Sequence, residues 1–436
     1  MVIPFTQQVQ NMGRKPQRKP IIEYEVCDLS LTSLGGLPTI LEVANSLGLE
    51  ELFNKNVKVK IRKSGYNEYQ MAMTIILTFL AGGESLEDVD KIRLDEVVSG
   101  SPFPHSTTVG DFLRRFDREE VFSAVQQVQD EINRQLLYRK KYPFLTLDAD
   151  AFIVESGGKK RQGVAMAYNG KVGFQPFLLF ADELGLLLAH DFRPANVHPG
   201  AGVTKLLDHA LTVIPEGTKL HFRSDSACYD KDVVAYCESK SMTFSIAADL
   251  TTALRAEIDS QPEENWHPFG DKGEEVVQLY YQPTGWAKPY RYIVVRKIKG
   301  EDIFGTTYKF HAFVTNQTTG NPDWLLKRHR RHARVENGIK EVGSGFGLSL
   351  LPCSDYNANR IWFAFGTIAH SLMTILKVLF LPAKWARSTA KTIRYRLFQI
   401  GGVLSRHARK KVLKVPRGHP WLKDLFLCRK RILAFS

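Results

Sequence analysis

Four acidic residues have the type and spacing for chemistry on phosphate esters. Asp148 and Asp150 alternate in the apolar stretch LTLDADAF at 145–152, Asp225 follows another apolar run, and Glu336 lies in a polar segment with helical periodicity. Cleavage of phosphodiesters by two metal ions requires several carboxylates that converge on hard cations. Asp148 or Asp150, Asp225 and Glu336 are therefore candidate metal ligands.

Each of these acids also has an ordinary structural interpretation. An Asp at a strand end is usually a turn former, and a Glu among Arg and His on a helix is usually half of a surface ion pair. Two acids that face the same way on an otherwise apolar strand are harder to explain, because burying an unpaired charge is costly.

The elements that must position these acids follow from the hydrophobic pattern. From residue 143 the pattern has a period of two, which predicts a strand with Phe144, Thr146, Asp148, Asp150 and Phe152 on one face. Further strands are predicted at 172–180, 186–191, 220–224 and 243–248, with helices at 203–213 and 231–239. This β-β-β-α-β-α-β order is that of a ribonuclease-H-like α/β fold, in which the first and fourth strands are adjacent and parallel.

A second region interrupts that order before the last acid. Alternating stretches within 251–319 predict an inserted antiparallel β-region. After it, Asn321-Pro322 is a good helix start and Gly343-Ser344-Gly345 a good stop. The spacing places His329, His332, Glu336, Ile339 and Lys340 on roughly one face of this helix.

Helices are expected on both sides of the catalytic core. Residues 36–137 have helical patterns throughout and predict an all-helical N-terminal domain.

The apolar stretch at 361–381 is long enough to suggest a membrane span, but polar residues such as His370 and Lys377 interrupt it. A buried core helix is the better interpretation, and no membrane partner is expected.

The charge indicates a polyanionic partner. The chain has 59 Lys and Arg against 46 Asp and Glu, a formal net charge of +13. Within 377–431 there are 16 basic residues and one acid, Asp424, and the first 22 residues hold four basic residues and no acid. Such clustering is typical of a surface that neutralises phosphates, although a solvated basic tail would look the same.

The cysteines and the N-terminus indicate a cytoplasmic protein. The five cysteines are scattered without a CxxC pair, which suggests neither a disulfide framework nor a zinc site. Residues 1–20 are polar and basic, unlike a signal peptide.

Several stretches resemble a known family. LTLDADAF (145–152), HFRSDSACYD (221–230), RVENGIKEVGSGFGL (334–348) and YNANRIWFAFGTIAHSL (356–372) look like the marker segments of the DDE transposases called group 1. Within that group they resemble insertion-sequence enzymes of the IS-thirteen-eighty type. Stretches at 66–95, 107–116 and 387–402 also look like this family, so the resemblance runs in order over nearly the whole chain.

The resemblance implies roles for the acids. Asp150-Ala151-Phe152 matches the phrase of the first catalytic Asp, with Phe152 in place of a hydroxyl residue, and Asp148 remains the alternative. Asp225 matches the second Asp, and Glu336 matches the Glu.

The resemblance also implies contacts with DNA around that Glu. Related enzymes often carry a Tyr and an Arg upstream and a Lys downstream to hold phosphates, and these places fall on His329, His332 and Gly343. The residues expected to contact DNA are His329, Arg331, His332, Arg334, Lys340, Arg394 and Arg396.

The implied function is DNA transposition. The protein would bind terminal inverted repeats, hydrolyse the ends of the element, and join the freed 3′-hydroxyls to target DNA, with Mg²⁺ as cofactor and Mn²⁺ as a substitute. It would act as a homodimer in the synaptic complex, in the bacterial cytoplasm at the nucleoid. Two alternatives stay open: a metal-dependent nuclease of the same fold, and an inactive DNA-binding protein derived from a transposase.

These observations predict five parts. They are a basic tail at 1–22, a helical region that binds DNA ends at 23–142, a catalytic core at 143–250 and 320–380, a β-insertion at 251–319 and a basic C-terminal region at 381–436.

Overall fold

The computed structural model describes residues 22, 24–60, 64–99, 103–158, 160–302, 305–407 and 410–435. The predicted basic tail at 1–22 lies outside these residues, apart from Ile22. The described residues form a mixed α/β structure built on one large sheet.

Strands are grouped into a nine-stranded sheet and two three-stranded sheets. In chain order they are β1 Leu31–Thr32, β2 Phe144–Ala151, β3 Val154–Glu155, β4 Ala165–Met166, β5 Val172–Phe174, β6 Phe177–Ala181, β7 Leu186–Asp191, β8 Lys219–Ser224, β9 Thr243–Ala247, β10 His267–Phe269, β11 Glu274–Tyr281, β12 Tyr290–Asp302, β13 Gly305–Thr315, β14 Gly402–His407 and β15 Lys410–Lys414. The large sheet has the order β10-β11-β12-β13-β9-β8-β2-β6-β7.

The half of this sheet from β7 to β9 has the predicted arrangement. β2 pairs antiparallel with β6, which pairs antiparallel with β7, while β8 lies parallel to β2 and β9 lies parallel to β8. The predicted adjacency of the first and fourth core strands is therefore confirmed.

One prediction about strands needs correction, and a second is confirmed with an addition. The strand predicted at 172–180 is two strands, because Pro176 has no N–H for a ladder and the chain changes sheets there: β5 pairs with β3 and β4, and β6 joins the large sheet. The β-insertion is antiparallel as predicted but continues the same sheet, since β13 pairs directly with β9.

Helices cover both faces and the β7 side of the sheet. In chain order they are α1 Pro38–Ser46, α2 Leu49–Asn56, α3 Glu68–Ala81, α4 Val89–Leu94, α5 Glu96–Ser99, α6 Ser106–Leu113, α7 Glu119–Lys140, α8 Val203–Leu211, α9 Lys231–Ser239, α10 Thr252–Asp259, α11 Pro322–His329, α12 Ala333–Lys340, α13 Tyr356–Ile375, α14 Ala390–Ile393 and α15 Leu422–Leu433. Helices α3, α6 and α7 pack against α13, which also contacts β7. Within the described residues, the N-terminal helices and the sheet share one hydrophobic core.

Helix α13 is the apolar segment that resembled a membrane span. With the π-helical turn Leu376–Phe380 it is long and apolar enough to cross a membrane, with a mean hydropathy of 1.6. However, 83% of that window is buried within the protein, where Trp362 packs on Phe79 with ring centroids 4.6 Å apart. The segment is a core helix in this structure.

The basic C-terminal region is folded rather than a loose tail. β14 and β15 form a hairpin that pairs with β1, and α15 packs against α1. The apolar side of α15 buries Leu425, Cys428 and Ile432.

Candidate active site

The β2–β8 pairing brings Asp150 and Asp225 to the same level of the sheet. In this parallel pair Asp148 is opposite Arg223 and Ala149 is opposite Ser224. Continuing the register by one residue places Asp150 beside Asp225, and neighbouring strands are about 4.8 Å apart. Side chains at the same level of a parallel pair point to the same face, so the two carboxylates share one side of the sheet.

Asp148 is committed to a buried ion pair. Its side chain is 1% exposed, and both of its oxygens accept hydrogen bonds from Arg223, one of them from Nε at 2.7 Å. His332 Nδ1 lies 3.0 Å from the same carboxylate, and Arg223 also reaches Asp182 at 3.0 Å. Because its oxygens are already occupied, Asp148 is a structural residue, and the geometry favours Asp150 as the first ligand.

Asp150 is electrostatically coupled to the other two candidates. Burial, followed by the negative charge of Asp225 and more weakly that of Glu336, raises the pKa of Asp150 from its ordinary 3.8 to about 6. His332 and the Ala151 N–H, which donates to Asp150 at 2.7 Å, oppose this rise. Three like charges therefore act on one another at this point, which is the condition that a bound cation relieves.

The helix that carries Glu336 is broken into segments. Asn321 caps its start as predicted, accepting from the N–H groups of Asp323 and Trp324. One continuous helix is wrong, however, because a 3₁₀ turn at Arg330–His332 separates α11 from α12 and a π-helical turn follows at Glu341–Gly345. His329, His332 and Glu336 nevertheless line one cavity, as the predicted common face requires.

Helix α12 lies close to the sheet because of a glycine. It packs on β2 and β6, and a Cβ at Gly338 would lie 3.2 Å from ring carbons of Phe180. Glu336 is in the first turn of α12 and is exposed. The close approach keeps this turn above the end of β2.

Asp225 and Glu336 line the same open cavity of about 540 Å³. His332 also lines it, between the sheet and α12. Asp225 accepts the Ala227 N–H at 3.1 Å, which fixes the start of the following 3₁₀ turn. The cavity gives solvent and ligands access to two of the three acids.

The two histidines of this helix have different charge states. Burial lowers the pKa of His332, but the hydrogen bond to Asp148 and the charges of Asp148, Asp150 and Asp225 raise it overall. For His329, burial lowers the pKa to about 3, and its ring stacks on Phe313 with centroids 4.4 Å apart. The carboxylates around His332 thus favour its protonated form, whereas His329 is a neutral packing residue.

The donor set suits a divalent metal ion, although it is not closed around one. Among the residues that the structure describes, no three His, Cys, Asp or Glu side chains lie close enough together to hold a metal as they stand. The chemistry nevertheless fits, because oxygen ligands are those that Mg²⁺ prefers and Asp150 shows the mutual repulsion of the trio. Asp150, Asp225 and Glu336 are the residues that would hold the ion.

Glu341, the other acid of this segment, has a structural contact instead. Its carboxylate accepts the backbone N–H of Ala390, and its side chain packs beside Gly345. It ties the end of the helix to the C-terminal region and is not directed at the aspartates.

Among the residues expected to contact DNA, the prediction for Arg394 must be corrected. Its guanidinium is buried, donates to the carbonyls of Phe79 and Leu80 at 2.6 and 3.0 Å, and also donates to Gly345 O. These carbonyls lie in the last turn of α3, where that of Phe79 also accepts the Gly82 N–H at 3.0 Å, so Arg394 caps a helix. His329 and His332 likewise have internal contacts, and the expected residues left exposed are Arg331, Arg334, Lys340 and Arg396.

The departures from the family pattern at Phe152 and Gly343 lie near each other. A Cβ on Gly343 would lie 3.5 Å from the Phe152 ring, an ordinary contact distance, and 2.8 Å from Ser349 Oγ, which is too close. A side chain at 343 would therefore require the Ser349 side chain to move.

Sequence reasoning missed Arg223. The signal was available, because a charged residue inside the apolar run 220–224 requires a buried partner, and a second acid on β2 had no assigned role. The pairing of Arg223 with Asp148 gives each of these residues its partner. It leaves Asp150 as the aspartate of β2 that can bind a metal ion.

One family of known proteins matches nearly the whole chain. The family described as Transposase DDE domain group 1 matches residues 16–435. No curated protein matches the chain. Among solved structures, the cryo-EM structure of the piggyBac transposase synaptic complex with hairpin DNA is similar at a TM-score of 0.38 and 12% identity, over 77% of this chain and 72% of that one.

Proposed function

Because the chain belongs to the group 1 family of transposase DDE domains, we propose that it is a DNA transposase that cleaves phosphodiester bonds at element ends and joins the freed 3′-hydroxyls to target DNA. The observation that carries this proposal is the coupling of Asp150 to Asp225 and Glu336 at the carboxyl ends of two parallel strands. Such a trio is the ligand set for two-metal-ion chemistry.

In this proposal Asp150, Asp225 and Glu336 hold divalent metal ions. The ions, when bound, activate the attacking oxygen and stabilise the leaving one. β2 carries Asp150, Asp225 follows the parallel strand β8, and α12 carries Glu336 at the wall of the cavity that Asp225 also lines. His332 interacts with both aspartates of β2: its Nδ1 lies 3.0 Å from Asp148, and the charges of Asp148 and Asp150 raise its pKa.

The finer features are part of the same proposal. The protein is an insertion-sequence transposase of the IS-thirteen-eighty type that uses Mg²⁺ or Mn²⁺, binds terminal inverted repeats, and acts as a homodimer in the synaptic complex. The exposed basic residues of the N-terminal helices and of the β14–β15 hairpin support contacts with DNA ends and backbone. We place it in the bacterial cytoplasm at the nucleoid.

The test is the substitution Asp225→Asn, assayed on DNA that flanks the gene and includes its inverted repeats. We expect Mg²⁺-dependent cleavage to be lost while binding stays within a few-fold, because the carboxylate holds metal and contacts no base. Asp230→Asn is the matched control: this exposed residue caps α9, and Asn caps a helix as well as Asp does. Cleavage by Asp225→Asn near the wild-type rate would refute the assignment.

Two other functions are outcomes of the same assay. A nuclease of this fold would cleave ends without producing joined strands in a target plasmid. An inactive DNA-binding protein, favoured by the departures from the family pattern at Phe152 and Gly343, would bind ends and cleave none.

A further inference from the structure

A second cavity, of about 460 Å³, lies further along the face of β2 that carries the acids. Phe144 and Thr146 form its floor, on the same face of the strand as Asp148 and Asp150. Its other wall is the α11–α12 segment, which contributes Arg328, Arg331 and Arg334 at intervals of three residues. We call it the basic cavity.

Cations outnumber acids in the basic cavity. Five basic side chains line it against two acids, Asp182 and Glu183. Counting Asp148 as well, which holds Arg223, leaves an excess of two cations. The acids are also engaged: Asp182 is held by Arg223 and Arg334, and Glu183 accepts the Thr146 N–H at 2.8 Å.

Arg328 is the member of the basic cavity with an unsatisfied buried donor. Within the described residues Lys327, Arg328 and Arg331 form no salt bridge. Arg328 Nη1 reaches Gln317 Oε1 at 3.5 Å, while its Nη2 is buried without a hydrogen-bond partner. Burial, and then the charges of Arg223 and Arg331, lower its pKa to about 10, partly offset by Glu183. A buried guanidinium nitrogen with no acceptor is unusual, since such groups are normally satisfied by protein or ligand.

The position of Arg328 is fixed from several sides. Arg223 donates to its backbone carbonyl at 2.6 Å, and its guanidinium lies over Phe144 at 4.6 Å and Trp324 at 5.4 Å from the ring centroids. Trp324 itself is 53% exposed at the mouth of the cavity. The free donor is therefore preorganised, which suits planar recognition of a phosphate.

We propose that the basic cavity binds a backbone phosphate of duplex DNA through Arg328 and Arg331, and that it takes over the phosphate-holding role of the family positions occupied here by His329, His332 and Gly343. This inference rests on the proposed function. Thr146 and Phe144 are four and six residues before Asp150, about 13 to 20 Å along the strand at 3.3 Å per residue. At 3.4 Å per base pair, the bound phosphate is about four to six base pairs from the cleaved bond.

The experiment measures duplex DNA binding by wild-type protein and by Arg328→Gln over about 50 to 200 mM KCl. The probe is a 30-base-pair duplex of arbitrary sequence, whose length is roughly three helical turns. We expect Arg328→Gln to weaken binding about tenfold and to reduce the log-log salt slope by about 0.9, the value for a single neutralised phosphate. Arg328→Lys should keep the slope because it keeps the charge.

Arg360→Gln is the matched control. Arg360 also lies over an aromatic ring, Phe122 at 4.1 Å, but both of its terminal nitrogens are held by Glu119. The Arg360→Gln variant should therefore have the same salt slope of DNA binding as the wild type. Arg331→Gln, at an exposed position, repeats the test if Arg328→Gln melts at a lower temperature than wild type.

The outcomes separate the inference from the proposed function. Wild-type binding to duplex DNA with unchanged slopes for Arg328→Gln and Arg331→Gln would overturn the inference alone. No wild-type binding to any duplex would overturn both. If Arg328→Gln removes thermal stabilisation by inorganic phosphate but leaves the DNA slope intact, the cavity binds a free anion and the inference is wrong.

Discussion

Replacing each aspartate of β2 by asparagine should change the stability of the protein in opposite directions. Asp150 has a pKa of about 6 in the folded protein against 3.8 ordinarily. A difference of about two units corresponds to roughly 3 kcal/mol at 1.36 kcal/mol per unit. Because the folded state binds the proton more tightly, stability falls as pH rises from about 4 through about 6, and the full penalty applies above that range.

Asp150→Asn removes this penalty because the amide carries no charge. At pH 8 and without divalent metal, the variant should be more stable than wild type by up to roughly 3 kcal/mol, and the difference should shrink towards pH 4. Asp148→Asn should do the reverse, because it leaves the buried Arg223 with only Asp182. Breaking a buried pair costs about 3–5 kcal/mol, and the remaining amide oxygen keeps the loss near the lower value.

The assay is thermal unfolding in EDTA at several pH values, with cleavage of end DNA measured in parallel in Mg²⁺. We expect a higher melting temperature and no cleavage for Asp150→Asn, and a lower melting temperature with residual cleavage for Asp148→Asn. If Asp150→Asn is the destabilised variant, or if Asp148→Asn alone loses cleavage, the two aspartates have been assigned the wrong way round.

Three further predictions concern other residues of the site and the basic surface. Glu336→Asp should bind DNA but lose cleavage, because a side chain shorter by one methylene moves the carboxylate by more than a metal bond of about 2.1 Å tolerates; near-normal turnover would make Glu336 a surface residue. His329→Gln should leave the salt slope of DNA binding unchanged, since a pKa of about 3 makes this histidine neutral, and a smaller slope would contradict that. Replacing the exposed Lys410 and Lys414 by Gln should reduce the slope by about 0.9 for each phosphate that these lysines neutralise, whereas removing 403–436 would also delete α15 and uncover the surface of α1 that it packs on.

The sequence was sufficient to predict the strands of the core and the parallel adjacency of β2 and β8, but not which side chains meet across that pair. Alternation identified β2, and apolar runs identified β8 and β9, because burial imposes a local pattern on each strand. Asp148 and Asp150 could not be separated in this way, since both lie on the same face. Their difference depends on the register with β8, which sets Asp148 against Arg223, 75 residues away.

The basic residues show the same limit. Arg394 lies in a basic segment, and its charge suggested contact with DNA, yet it caps α3 more than 300 residues earlier in the chain. Nothing local distinguishes it from the exposed Arg396. The 3₁₀ turn at Arg330–His332 is similar, because helical periodicity continues across it and nothing local indicates the change of hydrogen-bonding pattern.

The surroundings of Gly343 decide what a side chain at that position would displace. A Cβ there would meet the Ser349 hydroxyl at 2.8 Å, whereas the Phe152 ring at 3.5 Å is at ordinary contact distance. A lysine at 343 therefore requires the Ser349 side chain to turn away, while the ring at 152 can accept a Cβ without moving. Positions 343 and 349, which are six residues apart in the chain, thus have to be changed together if a side chain is to be introduced at 343.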